Sequence, residues 1–125
     1  MIIAAVDDLF FRSKIRTTAK HLGVEMTFVS ALDDLLQQAR ATKPSLIILD
    51  LNNRALDPMT AMSALRGDEA LAAVPTLGFV SHVQTDLIEQ ARAAGVTEVM
   101  ARSAFAGQLG DILVARDKGH GARGT

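Results

Sequence analysis

Short apolar segments alternate with longer amphipathic segments along most of the chain. The apolar segments have the length and composition of β-strands, and we place them at residues 2–6, 25–29, 46–50, 76–80 and 96–101. The segments that follow them repeat apolar residues at helical spacing, and we place helices at residues 9–22, 31–42, 58–67, 85–94 and 104–115. The third strand is continuously apolar up to its last residue, which favours a strand that is covered on both faces.

Residues with known preferences for helix ends mark several of these boundaries. Ser30 is predicted to cap the second helix, and Asp57 followed by Pro58 is typical of the start of the third. Gly23 and Gly95 follow the first and fourth helices, where a glycine commonly ends a helix.

Alternation of strands and helices predicts a parallel sheet with helices on both faces. The expected fold class is α/β: a flavodoxin-like, doubly wound sheet of five parallel strands in the order 2-1-3-4-5, with five helices joined by right-handed crossovers. The 125 residues suffice for one buried core without disulfides. We expect a single domain at residues 1–117 and a flexible, glycine-rich tail at residues 118–125.

Acidic residues follow the two strands that meet where the strand order reverses, which is where ligands of such sheets bind. The first strand ends at Asp7 and Asp8, and the third ends at Asp50. Clustered carboxylates repel one another unless a cation joins them, and hard oxygen ligands of this kind suit Mg²⁺. We therefore expect these carboxylates to converge on a divalent-metal site built for a phosphoryl ligand.

Two further strand ends add polar groups to the same edge. Ser81 follows the fourth strand, and its hydroxyl can donate a hydrogen bond to a phosphoryl oxygen. Arg102 follows the fifth strand, and its guanidinium can neutralise the carboxylates or clamp a phosphate. Taken singly, the residues of this edge also have ordinary structural interpretations as helix caps, turn residues or surface ion pairs.

At these positions the sequence resembles response-regulator receiver domains. The resemblance covers residues 1 to about 113 and rests on VDD at 6–8, LIILDLN at 46–52, Ser81 and EQARAAGVTEVMAR at 89–102. It implies that Asp50 is the phospho-acceptor and that Asp8 and Asp50 bind Mg²⁺. It further implies that the backbone carbonyl of Asn52 completes the protein ligands, that Asp7 assists through water and that Ser81 senses the phosphoryl group.

The function that this resemblance implies is that of a stand-alone receiver in two-component phosphorelay signalling, not of an enzyme. A histidine kinase or phosphotransfer protein would supply the phosphoryl group, and a downstream protein target would receive the output. Homodimerisation or docking of a partner is a further hypothesis, through a face that includes Ala93, Val99, Ala101 and Phe105. A haloacid-dehalogenase-type phosphatase is disfavoured. In the sequence pattern of those enzymes a two-aspartate motif follows the first strand, whereas the candidate nucleophile here ends the third strand.

Three departures from the family pattern keep a second function open. Arg102 stands where the family has lysine, and the two side chains are not interchangeable. Val99 stands where the family often has an aromatic residue that reports activation, and Arg54 lies in the loop after Asp50. The alternative is a degenerate receiver that acts as an interaction module without phosphorylation.

Composition limits the partners and the location that we expect. The net charge of −1 provides no bulk attraction to nucleic acid, and no apolar stretch has the length of a membrane span. The chain has no cysteine, which fits a reducing compartment, and we expect a cytoplasmic protein. The basic residues Arg12, Lys14, Arg16 and Lys20 are interpreted as a solvated face of the first helix.

Overall fold

A computed structural model of the chain describes residues 1–81 and 84–117. The tail predicted at residues 118–125 lies outside the described residues. Among the helices that are described, none is long and apolar enough to cross a membrane.

Five strands form one sheet in the order β2-β1-β3-β4-β5, and every neighbouring pair is parallel. They are β1 Ile2–Ala5, β2 Met26–Phe28, β3 Leu46–Asp50, β4 Thr76–Val80 and β5 Glu98–Ala101. The predicted fold class and strand order are thus confirmed, and so are the bounds of β3 and β4. The other three strands are shorter than predicted, by one residue in β1 and by two each in β2 and β5, although Glu25 and Val29 still hydrogen-bond to β1.

Six helices are described around this sheet, instead of the predicted five. They are α1 Leu9–Leu22, α2 Leu32–Thr42, α3 Pro58–Arg66, α4 Thr85–Ala93, α5 Arg102–Gly107 and α6 Leu109–Arg116. The single last helix predicted at 104–115 is wrong in two respects. It begins two residues earlier, at Arg102, and it is interrupted at Gln108, whose φ of −108° and ψ of 8° are not helical.

Capping side chains account for two of the helix starts. Asp8 accepts a hydrogen bond from the backbone N–H of Phe11 at the start of α1, and Asp57 does the same for Thr60 in α3. The cap predicted at Ser30 is wrong, because the N-cap of α2 is Ala31, which makes no side-chain hydrogen bond. Since alanine offers no acceptor, this helix depends on its packed face for its position.

Helices cover both faces of the sheet, so the core has two parts. On one face Phe11, Phe79 and Phe105 pack together, with the rings of Phe79 and Phe105 stacked at 5.0 Å between centroids. Phe105 is fully buried there, so the prediction that it forms part of an exposed dimer face is wrong. The stack fixes α5 to β4 and thereby positions the first residue of α5 near the end of β1.

Close packing at Gly78 joins β4 to the loop that follows β3. A Cβ atom at this position would lie 2.9 Å from Cδ1 of Leu51, which is closer than carbon atoms approach in packed cores. Glycine is therefore required for Leu51 to lie across β4, and Leu51 directly follows Asp50. The candidate phospho-acceptor is thus paired with β4 through Phe79, and the residue after it packs on the same strand.

Candidate functional site

The predicted site residues lie at the carboxyl edge of the sheet, where β1 and β3 are neighbours. Asp50 is the last residue of β3, and Asp7 and Asp8 follow β1. Because β2 and β3 flank β1 on opposite sides, the connections leave β1 and β3 in different directions and open a crevice at this edge. The topology therefore places the acidic residues where the sequence predicts a ligand site.

Asp50 is buried, with 7% of its surface exposed. Its Oδ1 accepts a hydrogen bond of 2.9 Å from the backbone N–H of Asn52. Burial raises the pKa of the Asp50 carboxyl above its usual value, and the backbone N–H groups of Asn52 and Asp7 and the charge of Arg102 only partly oppose this effect. A carboxylate with a raised pKa is a stronger base and a better nucleophile than an ordinary surface aspartate.

Asp8 is held by two strong donors. Its Oδ1 accepts the backbone N–H of Phe11 at 3.0 Å, and its Oδ2 lies 2.5 Å from Nη2 of Arg102. These interactions lower the pKa of the Asp8 carboxyl, with the backbone hydrogen bond from Phe11 as the largest cause and the hydrogen bond from Arg102 next. Asp8 therefore remains ionised over the physiological range.

Arg102 directly follows β5, as predicted, and it is also the first residue of α5. Its guanidinium carbon lies 4.7 Å from the ring centre of Phe11, so the cation is held by an aromatic face as well as by Asp8. Arg102 makes this ion pair with Asp8 and none with Asp50. Its charge still acts on Asp50, because it lowers the pKa of that carboxyl.

The donors expected for a metal are of the right chemical type, and one of them is already paired with a cation of the protein. In residues 1–81 and 84–117, no three side chains of aspartate, glutamate or histidine are placed to hold a metal ion. Asp7 is exposed, and the carboxylate of Asp8 is occupied by Arg102. The convergence of Asp7, Asp8 and Asp50 on a divalent metal therefore stays a prediction, and in this structure Arg102 is the counter-ion of Asp8.

The side chain of Asn52 joins the loops that follow β3 and β4. Its Oδ1 accepts hydrogen bonds from the backbone N–H of Ser81 at 2.8 Å and from the Ser81 hydroxyl at 3.1 Å. Its Nδ2 donates to Oε1 of Gln84 at 2.7 Å. The sequence predicted a role only for the Asn52 backbone, and no sequence signal indicated its side-chain partners. The Ser81 hydroxyl is thus held by Asn52 at the rim of the site.

Asn53 stabilises the loop that follows β3. It is buried, its Nδ2 donates to the backbone carbonyl of Ala5 at 3.3 Å, and its Oδ1 accepts the N–H groups of Ala55 and Leu56. These bonds fasten the loop after β3 to the end of β1. A polar residue three positions after the end of a buried strand was the available signal for this role. Arg54, which the sequence placed near the site, is exposed to solvent.

Several solved structures resemble this chain over most of its length. A response regulator from Hahella chejuensis is 24% identical with a TM-score of 0.81, and the match covers 95% of this chain and 96% of that one. The receiver domain of the sensor histidine kinase PA1611 from Pseudomonas aeruginosa PAO1, with a magnesium ion coordinated in its active site cleft, is 21% identical with a TM-score of 0.78. That match covers 92% of this chain and 94% of the other.

The phosphorylated cyanobacterial phytochrome response regulator RcpA is also similar, with 22% identity and a TM-score of 0.73 over 90% of this chain and 86% of that one. No protein-family model and no curated protein sequence matches the chain. The parallel sheet and its strand order agree with these structural matches. The chain has the fold of response-regulator receiver domains.

Proposed function

We propose that this protein is a signalling receiver that accepts a phosphoryl group on Asp50. The observation that carries the proposal is the environment of Asp50, a buried carboxylate at the end of β3 in the crevice between β1 and β3. An ionisable group in such a place costs stability, and folding alone does not require it. The likeness of the fold to receiver domains supports the same function.

In the proposed reaction a carboxylate oxygen of Asp50 attacks the phosphorus of a phosphohistidine or of a small phosphodonor. The new O–P bond makes an acyl phosphate, while the P–N bond of phosphohistidine breaks and its electron pair returns to the imidazole. The backbone N–H of Asn52 orients the carboxylate through Oδ1. The raised pKa of Asp50 favours the attack, because the ionised form is more basic than an exposed aspartate.

Asp8, Asp50 and the backbone carbonyl of Asn52 are the residues that would hold a divalent metal, with Asp7 nearby. Their oxygen atoms suit Mg²⁺, which when bound neutralises charge on the phosphoryl oxygens and polarises the phosphorus. Arg102 must first release the carboxylate of Asp8. Arg102 is then available, from its place on the ring of Phe11, to bind a phosphoryl oxygen itself.

Ser81 is proposed to report the phosphorylation. Its hydroxyl bonds to Asn52 and must leave that acceptor to reach a phosphoryl oxygen. Because Asn52 also holds Gln84, this exchange would loosen the connection to the start of α4. A hydrogen-bond exchange of this kind shifts an equilibrium between two arrangements of the loop.

We propose signalling partners accordingly, namely a histidine kinase or phosphotransfer protein as donor and a downstream protein as target. The protein acts in this proposal as a switch, not as an enzyme, and it works in the cytoplasm with its donor. A homodimer stays a prediction, and its face is reduced to Ala93, Val99 and Ala101 because Phe105 is buried.

One observation favours the second candidate function, an interaction module that works without phosphate. Asp8 already has a counter-ion in Arg102, so one of the three carboxylates of the site is neutralised without a metal. If this ion pair does not open, the fold would keep its surfaces and lose its phosphoryl chemistry.

Intact-mass spectrometry after incubation with acetyl phosphate and Mg²⁺ separates the two candidates. We expect one labile phosphoryl adduct on the parent and on Asp57→Asn, which changes an aspartate at a helix cap outside the site. We expect none on Asp50→Asn. Circular dichroism checks that each variant is folded, and a folded parent without an adduct, tested also with a phosphohistidine donor, would support the interaction module.

A further inference from the structure

A basic groove lies between α1 and the edge strand β2. Arg12, Arg16 and Lys20 follow one another at intervals of four residues, which places them along one side of α1. The guanidinium carbons of Arg12 and Arg16 lie 5.6 and 4.8 Å from the ring centre of Phe28 in β2. Two cations thus share one aromatic ring, which the interpretation of a solvated helix face does not explain.

These cations have no acidic partner within the described part of the chain. The ion pairs found there are Arg40–Asp68 and Arg102–Asp8, and α1 itself contains no aspartate or glutamate. Like charges four residues apart on a helix repel each other. In addition, the buried Nε of Arg12 has no hydrogen-bond acceptor among the described residues, which also costs free energy. An anionic ligand would relieve the repulsion between these cations.

The groove combines this charge with an apolar floor. A cavity of about 270 Å³ is lined by Arg16, Ala19, Lys20, Val24, Met26 and Phe28. It adjoins a second, more polar cavity of about 690 Å³, which Arg16 and Lys20 also line. A ligand that fills both therefore needs an apolar group for the smaller cavity and negative groups for the basic rim.

We propose that the groove binds an acidic, amphipathic segment of a partner protein. One apolar side chain of the segment would enter the smaller cavity against Met26 and Phe28, while carboxylates beside it would pair with Arg12, Arg16 and Lys20. Burial of the apolar side chain supplies the hydrophobic contribution, and the charges supply orientation and selectivity. A nucleic acid fits less well, because the net charge of −1 provides no general attraction and the floor is aliphatic as well as aromatic. This inference does not depend on phosphoryl chemistry at Asp50.

A titration of the ¹⁵N-labelled full chain tests the proposal. The probe is a short helical peptide with leucines on one face and glutamates beside them, and the control peptide carries glutamine in place of each glutamate. We expect the acidic peptide to shift the amide signals of Ala19, Met26 and Phe28. Arg16→Gln should weaken its affinity about tenfold, as the loss of a close charge pair does. Lys14→Gln removes the same charge from an exposed position of α1 outside the groove, and it should change the affinity less than about twofold because such charges are screened.

Phe28→Leu provides a second readout, since it keeps an apolar side chain and removes the ring beneath the two guanidinium groups. This substitution should lower the affinity for the acidic peptide without creating affinity for the glutamine peptide. Equal losses in Arg16→Gln and Lys14→Gln would overturn the proposal, because they indicate unspecific charge attraction. So would equal binding of both peptides, no shifts at millimolar peptide, or stronger shifts of the same amides by single-stranded oligothymidylate.

Discussion

The contact between Arg102 and Asp8 predicts two opposite effects of the substitution Arg102→Met. Methionine keeps an apolar stem over Phe11 and removes the guanidinium, so the variant loses the ion pair and the cation–π contact. Stability without metal should fall, because both contacts stabilise the folded state. Affinity for Mg²⁺ should rise, because the Asp8 carboxylate no longer has a competing cation.

The magnitude follows from the exposure of the pair. Both side chains are 34% exposed, so the ion pair is screened by solvent and contributes about 0.5–1 kcal/mol despite its short distance. The cation–π contact adds about 0.5–1 kcal/mol at such a site. The sum, about 1–2 kcal/mol, corresponds to a fall of roughly 3–8 °C in Tm for a domain of this size. Loss of a 1 kcal/mol competitor should tighten Mg²⁺ binding about fivefold.

Urea unfolding followed by circular dichroism, with EDTA and with a series of MgCl₂ concentrations, measures both effects. In EDTA, the midpoint of Arg102→Met should lie below that of the parent, and the difference should shrink as Mg²⁺ rises. Arg54→Met is the matched control, because it removes an exposed arginine four residues beyond Asp50. A variant with the parent's midpoint in EDTA and the parent's response to Mg²⁺ would refute the reasoning, and so would an equal effect of Arg54→Met.

Three further predictions concern the carboxylates and the loop that joins them. Asp50→Asn should raise the unfolding free energy at pH 7 by about 0.5–2 kcal/mol, because it removes a buried charge whose pKa is raised by burial; an unchanged urea midpoint would contradict this. Asn52→Ala should lower the free energy of unfolding by about 1–2 kcal/mol. It should also speed hydrogen exchange at the Ser81 amide, because this N–H loses its acceptor, and unaltered exchange would show that the bond is not maintained in solution. The pKa of Asp8 is lower in the folded state than its ordinary value of 3.8. Its ionised form therefore stabilises the fold above pH 3.8, and this stabilisation is lost as the pH falls through the folded-state pKa. Between pH 5 and pH 2, the Tm of Asp8→Asn should therefore fall less steeply with decreasing pH than the Tm of the parent. Parallel plots of Tm against pH would exclude this role.

The strands and most helix starts could be predicted from local sequence because local chemistry decides them. The apolar runs at 46–50 and 76–80 need cover on both faces, and the structure places both in the middle of the sheet. The first helix was predicted to its exact bounds because an aspartate caps it and Gly23, at a φ of 70°, ends it. Ser30 shows the limit of this reasoning, since a good capping residue was present and the helix started one residue later.

The side-chain partners within the site could not be predicted, because they depend on distances across the fold. The strand ends predicted that Asp8, Asp50 and Arg102 lie at one edge of the sheet. The structure places all three at the carboxyl ends of their strands. The stack of Phe105 on Phe79 places the first turn of α5 beside the end of β1. Arg102 therefore pairs with the carboxylate of Asp8 and not with that of Asp50. The link from Asn52 to Ser81 spans 29 positions, and nothing in either local sequence indicates it.

The buried ring of Phe105 also determines which part of the chain has to move for the pair between Arg102 and Asp8 to open. Phe105 lies three residues after Arg102, so the backbone of this helix is fixed to the core at its first turn. Release of Asp8 therefore requires only rotation of the partly exposed arginine side chain, a picosecond-to-nanosecond event, and no movement of a helix. The ion pair would then remain in rapid equilibrium with an open form, and the rate of switching would be set by the slower exchange of hydrogen bonds around Asn52.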